Sequence, residues 1–304
     1  MNRPARFLRC GRFRLSLERP LIMGIVNITP DSFSGDGVLT GGRDCVAASL
    51  ERARAQREAG ADILDLGAES TRPGSEPTAL EEELDRLIPA LEAMRDWNVP
   101  LSVDTCKPEV MQAALDAGAD MVNDINALRS PGALEAVMKS DCGLCLMHMQ
   151  GEPRNMQQNP TYDDVVGEVR DFLAERIRAC RTAGIADERL ALDPGFGFGK
   201  NLEHNLELFA RLPELFLDGL PLLIGACRKR MLGEITGRPV DERLAATLAT
   251  TVIAAEKGAK IIRVHDVGVT RDALAVWTAI KNAERARPMR GRHHERTGGG
   301  KFHR

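Results

Sequence analysis

Apolar residues follow two alternating rhythms along most of the chain. Eight short runs are nearly continuous in apolar residues: LIMGIVN (21–27), ILDLG (63–67), LSVD (101–104), MVND (121–124), LCLMH (144–148), LALD (190–193), PLLIGA (221–226) and IIRVH (261–265). Such runs suit strands covered on both faces. Between them, at 44–59, 79–96, 108–117, 131–140, 162–183, 201–216, 241–257 and 270–285, the pattern turns helical. In RLAATLATTVIAA (243–255) the apolar positions recur at helical spacing and Gly258 supplies a stop. Gly60, Gly118 and Gly184 sit where a helix C-cap favours glycine. Alternating strand–helix units predict an α/β fold with a parallel sheet, and eight of them suit a single-domain (β/α)8 TIM barrel over residues 21–285. A doubly wound open sheet is the rival, disfavoured because no G-x-G-x-x-G follows the first strand. GFGFG (195–199) lacks helix-opening spacing and reads only as a glycine-rich loop.

The flanks differ. FLRCGRFRLSL (7–17) alternates around a Cys10-Gly11 turn, so residues 1–20 are expected to form a β-hairpin closing the base of the barrel. Residues 286–304 are basic, glycine-rich and poor in apolar side chains, and are expected to be disordered; His293 and His294 fall there and need no metal. A net charge of −3 gives no global electrostatic reason for a nucleic-acid or anionic membrane partner. No apolar run approaches a membrane span, and MNRPARFLRCGRFRL has no signal-peptide core, so a cytoplasmic location is expected. Seven cysteines, an odd number without framework spacing, read as free thiols. Cys142 and Cys145 form a C-x-x-C that runs into an apolar strand, which favours strand cysteines over zinc or redox chemistry.

In this barrel class, reactive groups project from the carboxyl ends of the strands. Here the runs end in Asn27, Asp65, Asp104, Asn123 with Asp124, His148, Asp193, Cys227 to Lys229, and Arg263 with His265. One such residue would be a helix cap; eight converging groups imply a polar ligand site. Asp104, Asn123 and Asp193 suit a flat heterocycle whose adjacent N–H donors can meet a carboxylate bidentately. Arg263 and His265 alternate along the last strand and share a face. With Thr71 and Arg72 of ESTRPGSEP and with Asn27, they resemble an oxyanion site for phosphate or diphosphate. Asn27 could give a neutral oxygen to a magnesium ion. The structural alternative pairs Arg263 with Asp266 or Asp65. The segment 28–42, ITPDSFSGDGVLTGG, carries Phe33 alone among polar residues and reads as a lid. Cys227, between Ala226 and the cations Arg228 and Lys229, raises the question of a thiolate nucleophile.

With those residues in view, the chain resembles the dihydropteroate synthases, the folate-pathway enzymes that sulfonamides inhibit. The resemblance runs from about Leu21 to Ile280 through GIVNITPDSFSGDG, DLGAESTRPGS, SVDTCKPEV, NDI, CLMHMQG, LDPGFGFGKNLEHN, GACRKRMLG and RVHDV. It implies condensation of 6-hydroxymethyl-7,8-dihydropterin diphosphate with 4-aminobenzoate, assisted by Mg2+, in a homodimer formed through outer helices late in the barrel. It further implies pterin contacts at Asp104, Asn123, Ile125, Met147, Asp193, Phe198 and Lys229. Diphosphate contacts fall at Asn27, Thr71, Arg72, Arg263 and His265, with the metal at Asn27. The aminobenzoate pocket falls at Phe33, Pro73, Cys227 and Lys229, and Asp104, Lys229, Arg263 and His265 carry the catalytic roles. Because diphosphate can leave unaided by a nucleophile, Cys227 then reads as a substrate-pocket variant. Four departures stand out: Cys227 replaces the usual serine, Arg230 follows Lys229 where serine or threonine is usual, Ala68 stands in GAES, and the lid reads SGDG where SDGG is usual. The alternatives are a methyltetrahydrofolate-type methyltransferase, a Schiff-base aldolase using Lys229, and a non-catalytic pterin-binding paralogue.

Overall fold

The computed structural model describes residues 4–28, 42–70 and 74–286. Eight parallel strands form the sheet: β3 (Leu21–Asn27), β4 (Ile63–Gly67), β5 (Leu101–Asp104), β6 (Met121–Asp124), β7 (Gly143–Met147), β8 (Leu190–Asp193), β9 (Leu223–Ile224) and β10 (Ile261–Val264). They pair in the order β8-β7-β6-β5-β4-β3-β10-β9. A parallel bridge between Leu192 and Leu222 joins the two ends, and Leu192 N donates to Pro221 O at 2.9 Å. The sheet is therefore a closed barrel, and the open-sheet alternative falls. β9 is shorter than the run 221–226 predicts. Pro221 cannot donate to a ladder, and chain pairing with β10 ends at Ile224.

Helices follow the strands: α1 (Gly42–Glu58), α2 (Leu80–Met94), α3 (Pro108–Asp116), α4 (Ala133–Met138), α5 (Val165–Thr182), α6 (Leu202–Ala210), α7 (Arg230–Thr236), α8 (Leu244–Glu256) and α9 (Val267–Ala286). Their local chemistry explains several boundaries. Asp164 caps α5 by accepting from Val166 N, and Asn201 with His204 forms a capping box on α6. The run 201–216 divides, because α6 stops at Ala210 and a short 3-10 turn holds Leu212–Leu215 around Pro213. The periodicity missed α7, a seven-residue helix too short to show a repeat. α9 reaches Ala286, one residue into the expected tail; residues 287–304 lie outside the described residues.

Side chains of a strand alternate between two environments. One set, including Val26, Leu64, Val103, Val122, Leu146, Leu192 and Val264, packs with the helices in the outer core. The other set, Leu21, Met23, Ile63, Met121, Cys145, Ala191, Leu223 and Ile261, packs together inside the barrel. Leu8, Cys10 and Leu17 join this inner cluster from the hairpin of β1 (Phe7–Cys10) and β2 (Phe13–Ser16). The hairpin turn is fixed by Arg12, whose Nε and Nη2 donate to the two oxygens of Asp120 at 2.9 and 3.0 Å. Gly11 takes φ +52 against that carboxylate, where a Cβ would lie 2.9 Å from Asp120 Oδ1.

Candidate active site

Two residues further along the same inward rows, the barrel changes character. Asp65 follows Ile63, Asn123 follows Met121, Met147 follows Cys145, Asp193 follows Ala191, and Arg263 follows Ile261. The strand alternation that builds the apolar floor thus delivers a polar layer above it. Arg263 is the hub: its Nε donates to Asp65 Oδ2 at 2.6 Å and its Nη2 to Asp104 Oδ2 at 2.7 Å. Asn123 Nδ2 donates to the same Asp65 oxygen at 3.1 Å. The structural alternative for Arg263 is therefore present in part, with Asp65. Asp266 instead takes Arg228 in a bidentate pair, with Nε at 3.1 Å and Nη2 at 2.7 Å.

Three carboxylates, Asp65, Asp104 and Asp193, share this layer with Arg263 and Lys229, and the ionisation of Asp104 and Asp193 reflects it. Burial pushes Asp104 up to about 7; Arg263 counters and Asp65 adds to the rise. Burial likewise raises Asp193 to about 6, against the Gly195 N–H that Oδ1 accepts at 2.7 Å. Burial opposes the charge on Arg263, yet Asp65 and Asp104 hold its pKa above the ordinary value. Lys229 is drawn down to about 8 by burial and by Arg263, and its Nζ lies 4.1 Å from the centre of the Phe198 ring. Among the described residues, Asp65 Oδ1 and Asp104 Oδ1 are buried and find no hydrogen-bond partner. Buried acceptors without donors are costly, and at the mouth of a barrel they mark places for ligand donors.

Beside the carboxylates lies an apolar wall. Ile125, Met147, Met149, Met156 and Phe198 form a separate cluster, with Cys106 packed against it. An adjoining cavity of about 750 Å³ is lined by Asp104, Ile125 and Met149, with Glu69, Lys107, Asn126 and Arg129 around it. Flat apolar surface next to paired acceptors is what a flat heterocycle with N–H donors would require. Met149 and Met156 were not legible from the strand pattern, because they stand in the loop after β7. The sequence offers Asp65 only as an alternative partner of Arg263; its partners come from β6 and β10, on either side of it in the barrel.

GFGFG is more than a loose connection. Gly195, Gly197 and Gly199 adopt φ values of +69, +78 and +62. This alternation turns Phe196 into the core, 4.5 Å from the Phe209 ring, and Phe198 toward Lys229. A Cβ on Gly195 would sit 1.9 Å from His148 O, so only glycine lets the loop lie against the end of β7.

Two members of the expected rim turn away. Asp124 accepts from Asn126 N at 2.7 Å and Leu128 N at 2.6 Å, closing the turn after β6. His148 follows the inward Met147, so it points outward; its ring packs edge-on against Phe172, and burial pushes its pKa down to about 2. His265 is half-buried. Burial, then Arg263 and Arg228, lower it to about 4, so it stands neutral at ordinary pH. Cys227 Sγ lies 3.3 Å from His265 Nδ1, and burial pushes the thiol up, opposite to what a thiolate nucleophile requires. Arg228, in the left-handed region at φ +53, faces Asp266, while Cys227 packs with the outer core and Lys229 lies over Phe198.

Asn27 ends β3 half-buried, in register with Gly67. Among the described residues no group of three or more His, Cys, Asp or Glu is placed to hold a metal ion. Phe33, Thr71, Arg72 and Pro73 lie outside the described residues. Arg230 pairs with Glu234 at 2.7 Å on the exposed side of α7, and Ala68 is fully buried in the outer core. Cys142 contacts Ser140 and belongs to the outer core, whereas Cys145 belongs to the inner one. Among the described residues no helix is long and apolar enough to cross a membrane.

The sequence profile of the pterin binding enzymes matches residues 23–265. The dihydropteroate synthase of Escherichia coli K12 is 50% identical over 271 residues, covering 89% of this chain and 95% of its own. Among solved structures, Burkholderia cenocepacia dihydropteroate synthase complexed with 7,8-dihydropteroate is 52% identical with a TM-score of 0.85, over 93% of this chain and 99% of that one. Xanthomonas albilineans dihydropteroate synthase with 4-aminobenzoic acid is 49% identical with a TM-score of 0.86, over 93% and 100% of the two chains.

Proposed function

The chain belongs to the pterin-binding enzymes, among the bacterial-type dihydropteroate synthases, and we propose from that premise how its own residues carry the reaction. It condenses 6-hydroxymethyl-7,8-dihydropterin diphosphate with 4-aminobenzoate to give 7,8-dihydropteroate and diphosphate. The observation that carries the residue roles is the layer of Asp104, Asn123 and Asp193 beside the wall of Ile125, Met147 and Phe198.

The pterin lies against that wall, and its N–H edge meets Asp193 and Asn123. The unpartnered Oδ1 of Asp104 accepts a further ring N–H. The C–O bond to diphosphate then breaks, its electron pair leaves with the diphosphate, and positive charge spreads from the methylene into the ring. Asp104, ionised and held by Arg263, stabilises that charge. The aniline nitrogen of 4-aminobenzoate forms the new C–N bond and gives up its proton to the departing diphosphate. Lys229, over Phe198, carries positive charge between the pterin and the aminobenzoate carboxylate. Arg263 uses two of its five N–H groups on Asp65 and Asp104; the others, with neutral His265 donating one N–H, face the leaving diphosphate. Thr71 and Arg72 add to the anion site, and Phe33, Pro73 and Cys227 border the aminobenzoate. No step requires a protein nucleophile.

Asn27 is the residue that would hold Mg2+. A lone amide oxygen fits an ion that keeps most of its waters and arrives with substrate phosphates, and not an all-protein cage. When bound, magnesium supplies neutralisation of diphosphate charge. The cytoplasm is the proposed location. A homodimer is the proposed assembly, supported by exposed apolar side chains on the late helices, Ile253 on α8 and Val276 and Ile280 on α9.

The test is turnover. Protein, magnesium, dihydropterin diphosphate and labelled 4-aminobenzoate should yield dihydropteroate and diphosphate in equal amounts. Diphosphate release without coupling, or pterin binding without release, would contradict the assignment and favour hydrolysis or a non-catalytic paralogue.

A further inference from the structure

We propose that Lys200 is a positioning residue for the pterin half of the site, fixing from behind the loop that carries Asp193 and Phe198 without touching substrate. The inference rests on the reaction assigned above. Lys200 is 2% exposed, and its Nζ contacts His148 Nδ1 at 2.9 Å, Gly195 O at 3.0 Å and Phe198 O at 3.0 Å. Three acceptors match the three N–H donors of an ammonium group. None of the three is a carboxylate; burial draws Lys200 down to about 7, with nearby Asp193 opposing the fall, so the ammonium form is held at a cost. A methionine of similar size would avoid that desolvation cost but would leave three buried acceptors without this donor, so the choice of lysine is bound to what it joins.

Gly195 O and Phe198 O bracket Phe196 and Gly197, so bonding both sets the curl of the loop. Gly195 N in turn donates to Asp193 Oδ1 at 2.7 Å, which ties the carboxylate to the same staple. His148 directly follows Met147, so Lys200 also fixes the distance between the Met147 and Phe198 parts of the apolar wall. The outside of the loop is held separately, by Tyr162 Oη donating to Gly199 O at 2.7 Å and Gln157 Nε2 donating to Gly197 O at 2.6 Å. The network ends at Phe198, on the pterin side of Lys229. Loss of Lys200 should therefore loosen pterin binding and spare the aminobenzoate side.

The experiment compares Lys200→Met and Lys200→Gln with the wild-type full-length chain. It reads KM for each substrate, calorimetric binding of unphosphorylated 6-hydroxymethyl-7,8-dihydropterin, and folding by circular dichroism. In a folded variant the pterin KM and the dihydropterin Kd should rise about tenfold or more, because small misplacement of a binding surface is amplified in this way. The KM for 4-aminobenzoate should change less than about twofold on the same reasoning. Equal changes in both KM values, or unchanged dihydropterin affinity, would overturn the proposal. If Lys200→Met does not fold, Lys200→Gln, with its shorter donor, is read in the same way; failure of both to fold makes Lys200 structural and also overturns it. A wild-type chain that binds no dihydropterin would sink the assigned reaction itself, and this inference with it.

Discussion

The two levels of the barrel interior are built by the same strands and differ in almost everything else. The lower level packs Met23, Ile63, Met121, Ala191, Leu223 and Ile261 against Leu8, Cys10 and Leu17 of the hairpin. Two residues up, Asp65, Asp104, Asn123, Asp193 and Arg263 replace them, with Asp104 and Asp193 raised and two oxygens unpartnered. One step of strand alternation separates a region that stabilises the fold from a region held at a cost to it. The lesson is that the dry floor lets the chain tolerate the charged layer. Arg263 can bridge two carboxylates because the strands under it are locked by apolar packing.

Substitutions should separate the two levels. The largest effect on activity is expected from Asp193→Asn, which removes a charged acceptor for the pterin. Steady-state kinetics should show kcat/KM lower by about 10²–10³-fold, the range for deleting a charged hydrogen-bond partner. The thermal midpoint should stay level or rise, because a carboxylate held near 6 by burial is one the folded state tolerates poorly. Ile63→Ala should do the reverse. Denaturant unfolding should report a loss of about 2–5 kcal/mol, typical of a cavity in a fully buried core, with kcat/KM of the folded fraction within about threefold of wild type. A large drop in kcat/KM there would break the division. A smaller effect is expected at Cys227, whose thiol contacts His265. Cys227→Ala should change the KM for 4-aminobenzoate by about two- to fivefold, the scale of one weak hydrogen bond. An unchanged value would place Cys227 outside that pocket.

Most of the barrel was legible in the sequence because eight buried parallel strands leave long apolar runs, and all eight expected helical stretches hold a helix with shifted ends. The run 201–216 broke at Pro213, and α7 escaped notice for want of length. Within the site, Asp104, Asn123, Asp193 and Arg263 were readable as polar groups at strand ends. The sequence set Arg263 apart with the anion-binding groups, however, whereas the structure joins it to Asp104 and Asp65 in one layer. Parity is where the reading erred, since His148 and Asp124 sit one residue out of phase with the inward row and serve the outer layer. Loop residues gave no such signal. Met149, Met156 and Lys200 reach their places through turns whose shape depends on contacts far away in the chain. The cations beside Cys227 suggested a reactive thiol, yet Arg228 is committed to Asp266 and burial decides the outcome.

The upper level carries its own pH signature. Asp104 at about 7 and Asp193 at about 6 lie above their ordinary range, so the folded chain binds more protons than the unfolded chain between about pH 4 and 7. Their contribution to stability is therefore full at low pH and lost as the pH rises through 7. Pterin binding should run the other way, since its N–H donors need ionised carboxylates. The most direct test is calorimetry of 6-hydroxymethyl-7,8-dihydropterin binding in buffers of different ionisation enthalpy, from pH 6 to 8.5. Protons should be released on binding near pH 6.5, with release fading by pH 8.5 and diminished in Asp104→Asn. Binding with no proton release at any pH, or with the same release in the variant, would contradict the assignment of the charged layer as the pterin site.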